Sequence, residues 1–179
     1  MQAEIEKSRE EIFKGFVFDV YKFQVEQQDG ILYPRELVEH NGGACVIALN
    51  EKNEIYLVKQ FRTGAKEFLL ELPAGKLEVN EDPVLCAYRE LEEEVGLKAN
   101  SMELLSEAYP TPGYSSEIIY IYYTNDFSKT EQDLDEGEFL EVFTYPLEEA
   151  VNMVFSGEIR DAKTAIAIMM LDSKLKKAK

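Results

Sequence analysis

Histidine is nearly absent from this sequence: His40 is the only one in 179 residues. Any histidine-dependent general-base catalysis would therefore fall to a single side chain. Cysteine is scarce too. Cys45 and Cys86 form no CxxC pair and no Cys/His cluster, which argues against a zinc site. Cys45 lies in the apolar run ACVIAL and Cys86 in an acidic segment, so both read as buried or half-buried thiols. The opening residues, MQAEIEKSREE, are charged and hold no apolar signal core. No run of about 18 apolar residues occurs, so no segment is expected to span a membrane. These absences together read as a cytoplasmic, reduced protein. Internal repeats, low-complexity tracts and an interdomain linker are also missing.

Positive charge is in short supply. Nineteen Lys and Arg face 35 Asp and Glu, a net charge of −16. Such a surface is not expected to hold a nucleic-acid backbone or an anionic membrane. It would repel a diphosphate as well, unless a cation inverted the local field. For most of the carboxylates, solubility is sufficient reason. Hydrophobic residues make up 45% and charged residues 30%, an ordinary globular mix in a chain long enough for one domain with a real core.

What is present is concentrated in residues 75–97, GKLEVNEDPVLCAYRELEEEVGL. Asp82-Pro83 reads as a helix start, a side-chain cap followed by an imino acid where no N–H is missed. Gly96 reads as its stop. At about 100° per residue, Glu90, Glu93 and Glu94 share one face, and Val84, Ala87, Leu91 and Val95 an adjacent apolar one. The apolar face is expected to bury itself and the acidic face to stand as a fixed block of charge, with Glu81 as a fourth member. Like charges held together call for a counter-charge, and a hard divalent cation such as Mg²⁺ suits carboxylate oxygens. The alternative is a solvated glutamate-rich face.

Spacing decides between them. Gly75, Glu81, Arg89, Glu90, Glu93, Glu94 and Gly96, with aliphatic Leu91 and Leu97, fit G-x5-E-x7-R-E-U-x-E-E-x-G-U, where U is aliphatic. Seven fixed types at roughly 5–7% usage match by chance about once in 10⁸–10⁹ start positions. The stretch resembles the signature of the Nudix hydrolases, with no departure. The resemblance implies an α/β fold, the Nudix α/β/α sandwich with a mixed sheet between helices, and metal-dependent attack of water on a nucleoside diphosphate linkage. It also implies Mg²⁺, or Mn²⁺ in its place, as cofactor. Glu90 and Glu94 match metal ligands, with the backbone carbonyl of Ala74. Glu93 matches a further metal-binding position and a catalytic carboxylate. Arg89 matches the arginine that orients a motif carboxylate.

Along the chain, residues up to about 14 read as a mobile, charged lead-in. Residues 16–27 (FVFDVYKFQVEQ) read as a strand, Asp29-Gly30 as a hairpin turn and 31–39 as the returning strand. The first strand is apolar on both faces, which suits contact with a second subunit or, equally, with a loop of its own chain. The expected division is 1–40 as an N-terminal extension with an antiparallel hairpin, and 41–179 as the Nudix domain. Strands are expected at 44–49, 55–61, 68–72, 101–109, 118–124 and 139–145, and further helices at 146–155 and 162–177. Pro73-Ala74-Gly75 reads as a loop, residues 109–116 (YPTPGYSS) as a rigid loop, and 125–138 as a long mobile one.

Outside the motif, several segments resemble the branch of the family that holds ADP-ribose pyrophosphatases and nucleotide-sugar hydrolases. They are KGFVFDVYKF, which in relatives is exchanged across a homodimer, then KQFR, ELPAGKLE, YPTPGYSSE and DEGEFLEV. The resemblance implies a substrate set of Phe16, Arg35, Arg62, Glu71, Pro112 and Glu117. Phe16 is suited to stack on a purine or to sit in the core, and Arg35 and Arg62 to meet phosphate or a surface carboxylate. Glu71 and Glu117 are suited to accept from a base or ribose, or to face water. On the acidic loop, Glu136 is expected as general base and Glu138 as a carboxylate touching metal. The partners implied are a nucleoside diphosphate sugar and a second copy of the chain. The rival readings are a GDP-mannose or UDP-sugar hydrolase, a non-catalytic nucleotide sensor and a diphosphate isomerase. The intact motif and the lack of an appended basic helix-turn-helix weigh against the sensor, and the absence of a suitably placed cysteine against the isomerase.

Overall fold

The computed structural model describes residues 3–177, which fall into two compact units. One takes the residues up to 42 together with 109–118, the other 43–108 and the residues from 119 onward. In chain order the elements are β1 (Ile5–Lys14), β2 (Asp19–Glu26), β3 (Leu32–Glu39), β4 (Gly43–Ala48), β5 (Glu54–Arg62), β6 (Glu67–Glu71), β7 (Ala74–Lys76), α1 (Pro83–Val95), β8 (Leu97–Ala99), β9 (Glu103–Ala108), β10 (Ile119–Thr124), β11 (Phe127–Lys129), β12 (Leu140–Pro146), α2 (Leu147–Ser156) and α3 (Ala162–Lys177).

The first unit is an antiparallel sheet in the order β1-β2-β3. The segment expected to be a mobile lead-in is a ten-residue strand, paired with β2 from Ile5↔Glu26 to Lys14↔Asp19. Every residue of β1 is exposed, so no buried apolar face was there to announce it. Charge supports it instead: Arg9 bonds Glu39 of β3 at 3.1 Å and Glu6 of its own strand at 3.1 Å, and lies 4.9 Å over the Tyr21 ring of β2. The turn expected at Asp29-Gly30 forms, with Gly30 at φ 74 and the Ile31 N–H donating to Asp29 Oδ1 at 3.0 Å. Residues 109–118 join the edge of β3 through Val38 N–H to the Tyr114 carbonyl (2.7 Å) and Ser116 N–H to the Val38 carbonyl (3.0 Å).

The second unit is built on a mixed sheet, β7-β4-β10-β9, in which β4 and β10 are parallel and the other pairs antiparallel. All six residues of β4 are buried, as a strand covered on both faces requires. Alternation along it divides the core in two. Cys45 and Ile47, with Ile121 and Tyr123 of β10, meet Ala150 and Met153 of α2 and Ala167, Ile168 and Leu171 of α3. Ala44, Val46 and Ala48, with Tyr122, meet Cys86, Ala87 and Leu91 of α1. Helices on both faces of a mixed sheet make the α/β/α sandwich expected from the sequence. A second antiparallel sheet, β12-β5-β6, lends Ile55 and Leu57 to the first of these cores. Two expected loops contain short strands: 73–75 runs into β7, paired through Ala74 with Cys45, and 125–138 contains β11, paired with β8. Three-residue strands carry too short a pattern to read. Among the described residues no helix is long and apolar enough to cross a membrane.

Candidate active site

The ends of α1 are where the sequence puts them. Asp82 caps the helix by accepting from the Val84 N–H at 3.1 Å, and Pro83 opens it. Gly96 closes it in the left-handed conformation (φ 68, ψ 39), its N–H reaching the Leu91 and Glu92 carbonyls. Between the caps, Cys86, Ala87 and Leu91 enter the core. The acidic face departs from expectation. Glu90 and Glu94 lie in the buried stripe, 8% and 2% exposed, instead of standing as an open block. The cause is β7. The Ala74 N–H donates to Glu94 Oε2 at 2.8 Å, and Gly75 comes so close that a Cβ there would stand 1.6 Å from Glu90 Oε1.

Arg89 gathers the remaining charge. Its Nη1 donates to Glu90 Oε1 at 2.6 Å and to Glu93 Oε2 at 3.0 Å, and its Nε stands 3.5 Å from Glu81 Oε1. Burial opposes the Arg89 charge, but the attraction of Glu90 and the bonds to Glu90 and Glu93 outweigh it, and its pKa lies above the ordinary arginine value. Burial pushes the Glu94 carboxyl up to about 8; the Ala74 N–H resists this, while the Glu90 and Glu138 charges add to it. Glu90 is also raised, by burial first, against the pull of Arg89. Both cysteines are free and buried, and burial lifts each thiol to about 12, out of the reactive range.

The donor set suits a hard cation. Glu90, Glu93 and Glu94 each commit one oxygen to Arg89 or to the Ala74 N–H, and the second oxygen of each makes no hydrogen bond to the described residues. Two of these carboxylates are buried with raised pKa values, an arrangement a divalent cation would relieve. Among the described residues no three acidic, His or Cys side chains are so arranged that they could hold an ion by themselves. Mg²⁺ does not need that, since it keeps several waters and takes one or two carboxylates beside substrate phosphate.

The acidic loop is tied down over its first half. Thr130 N–H donates to the Gly96 carbonyl (2.9 Å), Gln132 Nε2 to the Glu94 carbonyl (2.6 Å) and Asp133 N–H to the Glu93 carbonyl (3.0 Å). These are carbonyls at the end of α1 that lack helical partners. Beyond them Glu136 is exposed in a turn with Gly137 at φ 86. Glu138 is half-buried, accepts from Gln60 Nε2 at 3.2 Å, and acts by its charge on Glu90 and Glu94. A cleft of about 500 Å³ opens there, walled by Lys59, Phe68, Leu134, Glu138, Phe139 and Leu140.

Arg62 and Glu71 are together, and a residue the sequence did not reveal joins them. Arg62 grips both oxygens of Glu71 (2.7 and 2.9 Å), Lys163 bonds the same carboxylate, and Glu71 is buried rather than facing water. Neither Lys163 nor Gln132 carries a motif; each acquires its contact from chain distant in sequence. On the first unit, Phe16 is exposed rather than in the core, Arg35 is paired with Glu4, and Pro112 is exposed. Glu117 lies 3.8 Å from His40 Nδ1. That nitrogen also accepts from the Gly42 N–H at 2.9 Å.

The NUDIX domain profile matches residues 39–166. The chain is 41% identical over 169 residues to the ADP-ribose pyrophosphatase of Bacillus subtilis (strain 168), a match covering 93% of this chain and 91% of that one. It is 40% identical over 164 residues to the methanol dehydrogenase activator of Bacillus methanolicus, covering 90% and 89%. The crystal structure of an ADP compounds hydrolase superposes with a TM-score of 0.86 at 22% identity, over 99% of this chain and 97% of that one, a likeness of fold. Profile and relatives agree over the stretch that carries the carboxylate helix, and the chain belongs to the Nudix family.

Proposed function

We propose that this protein is a Mg²⁺-dependent pyrophosphohydrolase that splits ADP-ribose, or a closely related nucleoside diphosphate sugar, into a nucleoside monophosphate and a sugar phosphate. The observation that carries this reading is the pair Glu90 and Glu94, two carboxylates buried at the cost of raised pKa values, the first bonded by Arg89 where Gly75 of β7 leaves room for it and the second by the Ala74 N–H. They would hold the metal with the Ala74 carbonyl, and Glu138 would approach it. When bound, Mg²⁺, or Mn²⁺ in its stead, supplies charge neutralisation for the diphosphate and acidifies a water. Arg89 keeps Glu90 and Glu93 aimed. Glu136 takes the proton from the attacking water as its oxygen bonds one phosphorus and the bridging oxygen leaves with the other. Phe16, Arg35, Pro112 and Glu117 are assigned to the substrate, as is Arg62 through its remaining N–H groups.

The test is a phosphate-release assay, developed with a phosphatase, on ADP-ribose, GDP-mannose and UDP-sugars with and without Mg²⁺. ADP-ribose is expected to turn over fastest and only with metal. Glu136→Gln is expected to lower kcat by about 10²–10³-fold with little change in KM. Failure to hydrolyse any nucleotide sugar with Mg²⁺ or Mn²⁺ rejects the function, and a normal rate in the Gln variant moves the base elsewhere on the loop. The working unit is proposed to be a homodimer joined through the N-terminal strands, supported by exposed Ile12, Phe13, Val17 and Phe18 on the first unit. Light scattering is expected to give twice the mass of one chain, and a monomer at micromolar concentration would refute the pairing.

A further inference from the structure

We propose that Lys163 is a positioning residue for substrate: through Glu71 it aims Arg62 at a phosphate, and it thereby deepens the diphosphate reading above. Arg62 ends β5 with its side chain 41% exposed. Nε and Nη2 are spent on the two oxygens of Glu71, at 2.7 and 2.9 Å. Nη1 makes no hydrogen bond to the described residues, so one edge of the fork is available. The guanidinium and the Glu94 carboxylate act on each other by charge, which places Arg62 within electrostatic reach of the metal-binding pair.

One arginine facing a buried carboxylate would normally be neutralised by it. Here a second cation shares that carboxylate. Lys163, on the first turn of α3, bonds Glu71 Oε2 and also lies 3.0 Å from Asp161 Oδ2. Asp161 caps α3, accepting from the Thr164 N–H (3.0 Å) and hydroxyl (2.6 Å), and Thr164 Oγ1 in turn accepts from the Leu72 N–H at 2.8 Å. The start of α3 thus pins Glu71 by its side chain and the next residue, Leu72, by its backbone. With Glu71 held and half neutralised from behind, Arg62 keeps its orientation and part of its charge for a phosphate oxygen, the geometry a guanidinium fork matches best.

The experiment compares Lys163→Met and Lys163→Arg with the wild type on ADP-ribose and Mg²⁺. In Lys163→Met, KM is expected to rise about tenfold while kcat changes less than about twofold, the size of one charge-assisted hydrogen bond lost from binding. Lys163→Arg is expected to restore KM, since it returns the cation. If Lys163→Met does not fold, Lys163→Gln takes its place. An unchanged KM, or a fall in kcat alone, overturns the proposal. Should the wild type hydrolyse no nucleotide sugar, the function proposed above has failed, and calorimetric titration of the same proteins with inorganic pyrophosphate decides this one. A tenfold weaker affinity restored by Arg supports it, and equal affinities overturn it.

Discussion

Replacing Glu94 with glutamine is expected to abolish turnover and, at the same time, to make the metal-free protein more stable at pH 8. Activity should fall by at least about 10³-fold, because the variant loses the charge proposed to hold a cation against the diphosphate, a contribution of several kcal/mol. The gain in stability follows from where Glu94 lies. It is 2% exposed, and burial raises its pKa from an ordinary 4.5 to about 8. Between those values the folded state keeps a proton that the unfolded chain has released, so each rise in pH favours unfolding. The metal-free wild type should therefore be most stable below about pH 4.5 as far as this group is concerned, and lose that contribution progressively as pH climbs to 8. Glutamine has no charge to bury and can still accept from the Ala74 N–H. A gain of ~1 kcal/mol would raise the melting temperature by about 2–4 °C in a chain of this size. Saturating Mg²⁺ should stabilise the wild type more at pH 8 than at pH 5.5, since at the lower pH it must displace the proton, and it should do less for the variant. Near-normal activity in Glu94→Gln, or a lower melting temperature without metal, would contradict this role.

A methyl group added at Gly75 should cost almost as much activity without touching a single charge. The new Cβ would lie 1.6 Å from Glu90 Oε1, 2.0 Å from its Cδ and 2.7 Å from Oε2. Gly75 is not among the residues with positive φ, so the obstacle is space and not backbone conformation. The obstructing atoms are the end of a flexible side chain, and the fold can survive by moving Glu90 aside. That movement breaks the 2.6 Å bond to Arg89 and takes the carboxylate off the position proposed for the metal. Gly75→Ala is thus expected to lower kcat by about 10²-fold or more, as a misplaced ligand does, while destabilising by only about 1–3 kcal/mol, the range for overpacking. Melting curves alongside turnover at rising Mg²⁺ would check both. Wild-type activity in this variant would mean that Glu90 is not needed where it stands.

Both predictions concern residues that were legible as types and positions but not in their surroundings. Glu90, Glu93 and Glu94 could be placed on one side of a helix because helical geometry is local, and Asp82-Pro83 and Gly96 marked its ends because caps are local too. The strand at 44–49 could be read because an apolar run suits a strand covered on both faces. The depth of Glu90 and Glu94 could not be read. It depends on a three-residue strand, β7, that carries no pattern of its own and is ordered only by pairing with β4. Likewise β1 has no buried apolar face, and its order comes from a ladder and from arginine contacts that exist only once β2 and β3 are in place.

The sequence by itself determined an acidic helix with its caps, the sandwich that covers β4 on both faces, and the family, because each rests on neighbours in the chain or on fixed spacing. Only the tertiary structure decided that two carboxylates are buried, that Glu71 faces Arg62 and Lys163 instead of water, and that residues 130–133 tether the acidic loop to the end of α1. Those contacts join residues up to 92 positions apart, between Glu71 and Lys163. Burial and ion pairing depend on which atoms meet across the fold, and that is fixed when the layers pack.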